Sequence, residues 1–220
     1  MKNIHSLLYS SRPFSRESKR DAVKELADHT VPDRDFYLLV IGAVLLAVCG
    51  IFLDSIPVLI ASMIVAPLAY PILALGLAFV AGDTRLAARA GGMLGVSCVI
   101  AIVLSALATV QFGSIRIDPV FISFSSDPWL ATAVAVIAGC IAAYGLVRPK
   151  VGSAMTGIGI AVSLMPPLVA TGMHLAQYGA DLYPNAFALF LLNVIGILAG
   201  SMAVFAVFGL GRMHRDMNQK

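Results

Sequence analysis

Six apolar runs, each long enough to cross about 30 Å of hydrocarbon as a helix, leave little of this chain free to do anything else. They run at about 36–53, 56–80, 91–112, 129–147, 154–177 and 186–210. Two of them, the second and the fifth, carry proline near the middle: Pro67 and Pro71 in one, Pro166 and Pro167 in the other. A soluble alternative fails on composition. The 220 residues are 59% hydrophobic and 12% charged, with a mean hydropathy of +0.90, too few charges to cover a water-facing surface. The first run begins behind a mixed-charge segment and is too long and too late for a cleaved leader.

The basic residues give an orientation. Lys2, Arg12, Arg16, Lys19, Arg20, Lys24 and Arg34 precede the first span. Arg85 and Arg89 follow the second, Arg148 and Lys150 the fourth, and Arg212, Arg215 and Lys220 the sixth. Fourteen of the fifteen lysines and arginines thus fall on one side and Arg116 alone on the other, which predicts cytoplasmic N- and C-termini. Residues 1–35 then form a charged cytoplasmic arm. Within it, 15–29 has a thin apolar stripe (Ala22, Val23, Leu26, Ala27), expected as a short helix on the membrane surface or on a neighbouring subunit. Residues 113–128 form an outer interfacial loop and 211–220 a cytoplasmic tail. Asp54-Ser55-Ile56-Pro57 opens the second span, with Asp54 read as its cap and Pro57 allowed in the first turn.

Three spans lie on each side of the 113–128 loop, so the halves 36–112 and 129–210 have opposite orientation, an inverted three-plus-three repeat. Sliding the sequence by 100 pairs Ile60 with Ile160, Ala61 with Ala161, Pro67 with Pro167, Leu68 with Leu168 and Leu75 with Leu175. Each third helix also carries a GxxxG, Gly91–Gly95 and Gly196–Gly200, suited to close helix packing within the chain or between copies. The expected fold is therefore all-α: six transmembrane helices in an inverted repeat, with helices 2 and 5 broken near the midplane.

The runs ASMIVAPLAYPILALGLAFVAGD (61–83), GIGIAVSLMPPLVATGMHLA (157–176) and AFALFLLNVIGILAG (186–200) together resemble the prokaryotic "uncharacterised hydrophobic domain" family, domain of unknown function 389 (DUF389). The resemblance covers about residues 20–210 and implies a bacterial or archaeal inner-membrane protein. Some relatives carry a soluble domain ahead of the membrane part, where this chain has the charged arm.

Proline within a helix removes the partner of the carbonyl four residues earlier, here Met63 and Pro67 in one half and Val162 and Ser163 in the other. Ser62, Tyr70, Ser163 and Thr171 lie within a turn of the breaks and offer hydroxyls. In an inverted repeat the two breaks face each other, as in transporters built from discontinuous helices. Carbonyls and hydroxyls suit a cation or a neutral polyol; half-helix N-termini suit an anion. The candidate binding residues are Ser62, Met63, Pro67, Tyr70, Pro71, Val162, Ser163, Pro166, Pro167, Thr171 and Asn193. Asn193 shares a face with Gly196 and Gly200, where it also suits structural hydrogen bonding.

No span interior carries Asp, Glu, Lys or Arg, which argues against a carboxylate proton relay or a voltage sensor. No HExxH and no paired intramembrane aspartates occur, so an enzyme is not expected. Cys49, Cys98 and Cys140 are far apart and read as packing residues; no disulfide, metal, cofactor or nucleic-acid partner is implied. The expectation is a small-solute or ion transporter or channel of the inner membrane, in contact with lipid and assembling as a dimer or trimer. The alternative is a membrane scaffold or accessory subunit whose prolines only shape helices.

Overall fold

Charge-free apolar segments become helices because each backbone N–H and C=O must then find its partner inside the segment. The computed structural model of the chain describes residues 16–113, 128–148, 164–178 and 184–218, and these are helical apart from short joints. In order they form α1 (Arg16–Asp28), α2 (Arg34–Phe52), α3 (Ile56–Val65), α4 (Ala69–Ala81), α5 (Thr84–Phe112), α6 (Pro128–Val147), α7 (Met165–Tyr178), α8 (Pro184–Phe208) and α9 (Leu210–Asn218). Among them α2, α5, α6 and α8 are each long and apolar enough to cross a membrane, and α3 with α4 makes a fifth candidate if the bent pair counts as one. The fifth apolar run is represented by α7, 14 residues or about 21 Å. Its first half and most of the 113–128 loop, with Arg116, lie outside the described residues.

The joints follow from single residues. Pro67 disfavours helical geometry in the residue before it, and Ala66 is extended at φ −65°, ψ 119°. Helix α3 therefore stops at Val65, Leu68 caps α4, and the two axes are bent by 49°. Pro71 is the third residue of α4, where a backbone N–H has no partner inside the helix in any case. Pro166 and Pro167 occupy the first turn of α7 for the same reason, rather than the middle of a described helix.

Between α2 and α3, the Ser55 N–H bonds to the Gly50 carbonyl and the Asp54 N–H to that of Ile51, with Asp54 at φ 48°. That is a Schellman closure of α2 with Asp54 in the left-handed position usually held by glycine. Asp54 is thus not the cap of the following helix, as the sequence suggested; Ser55 stands at that position, with Pro57 in the first turn. Gly82, at φ 71°, ends α4, and Asp83 starts α5 by accepting from the N–H groups of Arg85 and Leu86. This helix begins seven residues before the expected 91.

Helix α4 lies at the centre of the bundle. Nine of its thirteen residues are buried, and it touches α1, α5, α6, α8 and α9. Glycine permits the closest contacts elsewhere. A Cβ at Gly200 would fall on the Val136 carbonyl oxygen, and one at Gly139 on that of Ile197, so α6 and α8 meet backbone to backbone. The Gly196–Gly200 pair is therefore used inside the chain. Gly91 and Gly95, by contrast, have no atom within 4 Å of an added Cβ.

Ring contacts mark the two ends of the bundle. Phe52 of α2 meets Phe112 of α5 at 5.6 Å, whereas Tyr144 of α6 meets Phe208 of α8 at 6.3 Å, beside α9. Since α9 docks on the start of α5, α2 and α5 run one way and α6 and α8 the other. Helix α1 packs on α4, α6 and α9 of its own chain, burying Ala22, Val23 and Leu26. The expectation that this stripe faces a membrane surface or a neighbour is corrected: its apolar side is covered from within. The expected tail is likewise the docked helix α9, with Leu210, Gly211 and His214 buried and Arg212, Arg215 and Asp216 exposed.

Candidate functional site

Non-helical backbone at Ala66–Leu68 adjoins the centre of the bundle. Ala66 and Leu68 are buried and Pro67 half-buried. Among the sequence-predicted site residues, Ser62 and Met63 of α3 are buried, and Ser62 Oγ donates to the Leu59 carbonyl at 2.6 Å. Pro71 is buried in the first turn of α4. Tyr70 beside it is half-buried, and its hydroxyl donates to Glu25 Oε1 of α1 at 3.1 Å. The His29 ring stacks on the Tyr70 ring, centroids 4.3 Å apart. Two residues past the break, a carboxylate and an imidazole from the arm thus hold the one aromatic hydroxyl of the site.

In the second half, Pro166 and Pro167 are buried, and Thr171 Oγ1 donates to the Pro167 carbonyl at 2.7 Å. Helix α7 packs on α5 and α8 and reaches α2 and α3. Asn193 is 4% exposed in α8, which packs against α4, α6 and α7. Val162 and Ser163 lie outside the described residues.

A second polar centre was missed by the sequence reading. Asp83, at the α4–α5 corner, accepts from His214 Nε2 of α9 at 2.7 Å through Oδ2, while Oδ1 takes the two backbone N–H groups of α5. The imidazole hydrogen bond first, and the Leu86 N–H next, hold the Asp83 carboxyl below its ordinary range despite some opposing burial. A cleft of about 600 Å³ opens here, lined by Asp83, Arg85, Arg89, His214 and Arg215 with Ala27 of α1. The signals were present. Gly82-Asp83 is a helix stop followed by a cap, and Leu210, Met213, His214 and Met217 share one helix face.

The described residues define an all-helical protein with several helices long and apolar enough to cross a membrane, and a pair, α3 and α4, bent against each other at Pro67. The chain belongs to the family described as "Domain of unknown function (DUF389)", whose match covers residues 63–199. It is 30% identical over 175 residues to an uncharacterised protein of Methanocaldococcus jannaschii, covering 79% of this chain and 54% of that protein. The chain thus spans about half the length of the curated relative it matches. No solved structure matches it.

Proposed function

We propose that the chain is an inner-membrane transporter or channel for a small solute or ion, with six spans in an inverted repeat, cytoplasmic termini and its site at the proline breaks. The observation that carries this reading is the pairing of non-helical backbone at Ala66–Leu68 with the Tyr70–Glu25 hydrogen bond two residues on. Irregular backbone at membrane depth persists where it is buried in protein or lines a wet cavity. A carboxylate reaching the same place favours the wet cavity, open toward the end that carries α1 and α9.

Correspondences between the halves support the repeat. Helices α4 and α7 begin at Ala69 and Met165, and α5 and α8 end at Phe112 and Phe208, each pair 96 residues apart. The same separation relates Pro71 to Pro167, Gly76 to Gly172, buried Ser97 to buried Asn193, and Ser105 to Ser201. It relates contacts as well: Gly172 closes on Ser105 and Gly76 on Ser201. Proline in the first turns of α4 and α7 removes N–H donors that an anion would need, so the break regions favour a cation or a neutral polyol.

The rival reading, a scaffold, is favoured by the Ser62 and Thr171 hydroxyls, which both donate to their own helices. Homo-oligomerisation as a dimer or trimer would use the open face of α5 at Gly91 and Gly95. A flux screen in proteoliposomes with ions and small polar solutes identifies the substrate. Replacing Pro67 and Pro167 by Ala then tests the site. A loss of flux of roughly tenfold or more is expected, and unchanged flux sinks the proposal.

A further inference from the structure

The cleft between α4, α5 and α9 has the chemistry of an anion receptor, and its geometry is independent of the breaks. Arg85 and Arg89 are one turn apart on α5 and therefore share a face; Arg215 comes from α9 on the opposite wall. All three side chains are exposed to the cleft and its mouth. Among the described residues, none of the three lies within 4.0 Å of a carboxylate. The lone carboxylate of the lining, Asp83, is turned to His214 and to the Arg85 and Leu86 N–H groups. It therefore anchors the walls; Arg215 Nε donates to the Gly211 carbonyl at 3.3 Å, which leaves the terminal amino groups of Arg215 and the guanidinium groups of Arg85 and Arg89 to a ligand. With the N-terminal amides of α5 already capped, recognition falls to the arginines, whose planar fork matches phosphate oxygens. The cleft also sits where the apolar length of α5 begins, so one side of its mouth adjoins the membrane boundary.

We infer that this cleft binds a phosphate-bearing anion, the phosphate held between Arg85 and Arg89 on one wall and Arg215 on the other. Two sources share that chemistry, the headgroup of an anionic phospholipid and a soluble phosphate ester, and a volume of about 600 Å³ admits either.

The test uses the full chain in neutral detergent, with the thermal midpoint followed on titration with phosphatidylglycerol, phosphatidylcholine, glycerol 3-phosphate and inorganic phosphate. The variants are R85Q/R89Q/R215Q and, as a control for general basic charge at the same end, R148Q. Stabilisation by phosphatidylglycerol but not phosphatidylcholine, weakened at least about tenfold in the triple variant and unchanged in R148Q, supports a lipid ligand. The same pattern with glycerol 3-phosphate or phosphate supports a soluble ester. Absence of stabilisation by any anion overturns the inference, as does equal binding by wild type and triple variant, or an equal loss in R148Q. If the triple variant does not fold, R85Q/R89Q carries the same comparison.

Discussion

Asp83 joins three helices: its backbone N–H donates to the Ala78 carbonyl of α4, while its carboxylate caps α5 and receives His214 from α9. Asparagine can still cap, whereas alanine cannot, so D83A should cost about 1 kcal/mol or more beyond D83N in unfolding measurements. Acid dependence follows from the lowered pKa. A carboxylate held below its unfolded value of 3.8 stabilises the fold fully above that value and loses the contribution as pH falls through the folded one. The stability difference between wild type and D83N should therefore shrink below about pH 4, with Arg85, Arg89 and Arg215 around it charged throughout. A difference that stays constant down to pH 3 contradicts the assignment. Asp54 shows how a residue type can be read correctly as turn-forming yet be given the wrong place. Asp favours both caps and left-handed turns, and only the register of the Gly50 and Ile51 carbonyls decides between them.

Two glycine pairs of the same spacing separate at the level of helices. Gly200 meets the Val136 backbone, so G200A should destabilise by about 1–3 kcal/mol, whereas G95A, with nothing near, should change the fold by less than about 0.5 kcal/mol. Comparable losses in both would place α5 against another surface. Cross-linking between copies through Gly95→Cys would identify it as a second copy. The joint between α3 and α4 at Pro67 was legible in the sequence because proline constrains its predecessor directly, whatever the tertiary context. Pro166 and Pro167 were less legible, since the same residue that breaks a helix interior also begins a helix well. Helix α9 was hidden for another reason. Its arginines were counted for orientation, while the burial of Leu210 and His214 depends on α4 and α1 being alongside.

Across the whole molecule, the sequence comparison slid by 100 residues and the helix ends correspond at 96. Four residues are about one helical turn, so both shifts keep residues on the same helix faces and both match some apolar positions. Glycine and serine contacts, which need the exact partner, are absent from such a match and appear only when Gly76–Ser201 and Gly172–Ser105 are seen as contacts. Long apolar helices were legible because span length is a property of local sequence. The docking of α1 onto α4 was not, since the Tyr70–Glu25 hydrogen bond joins residues 45 positions apart. That contact bears on the central claim, a polar cavity reaching the break. Its most direct test is aqueous-phase labelling of Ser62→Cys in a background with Cys49, Cys98 and Cys140 replaced by Ala, in membranes. The account predicts modification by a small, membrane-impermeant thiol reagent, slowed by an identified substrate. Complete protection of Ser62→Cys, alongside ready labelling of a cysteine at exposed Thr84, would contradict it.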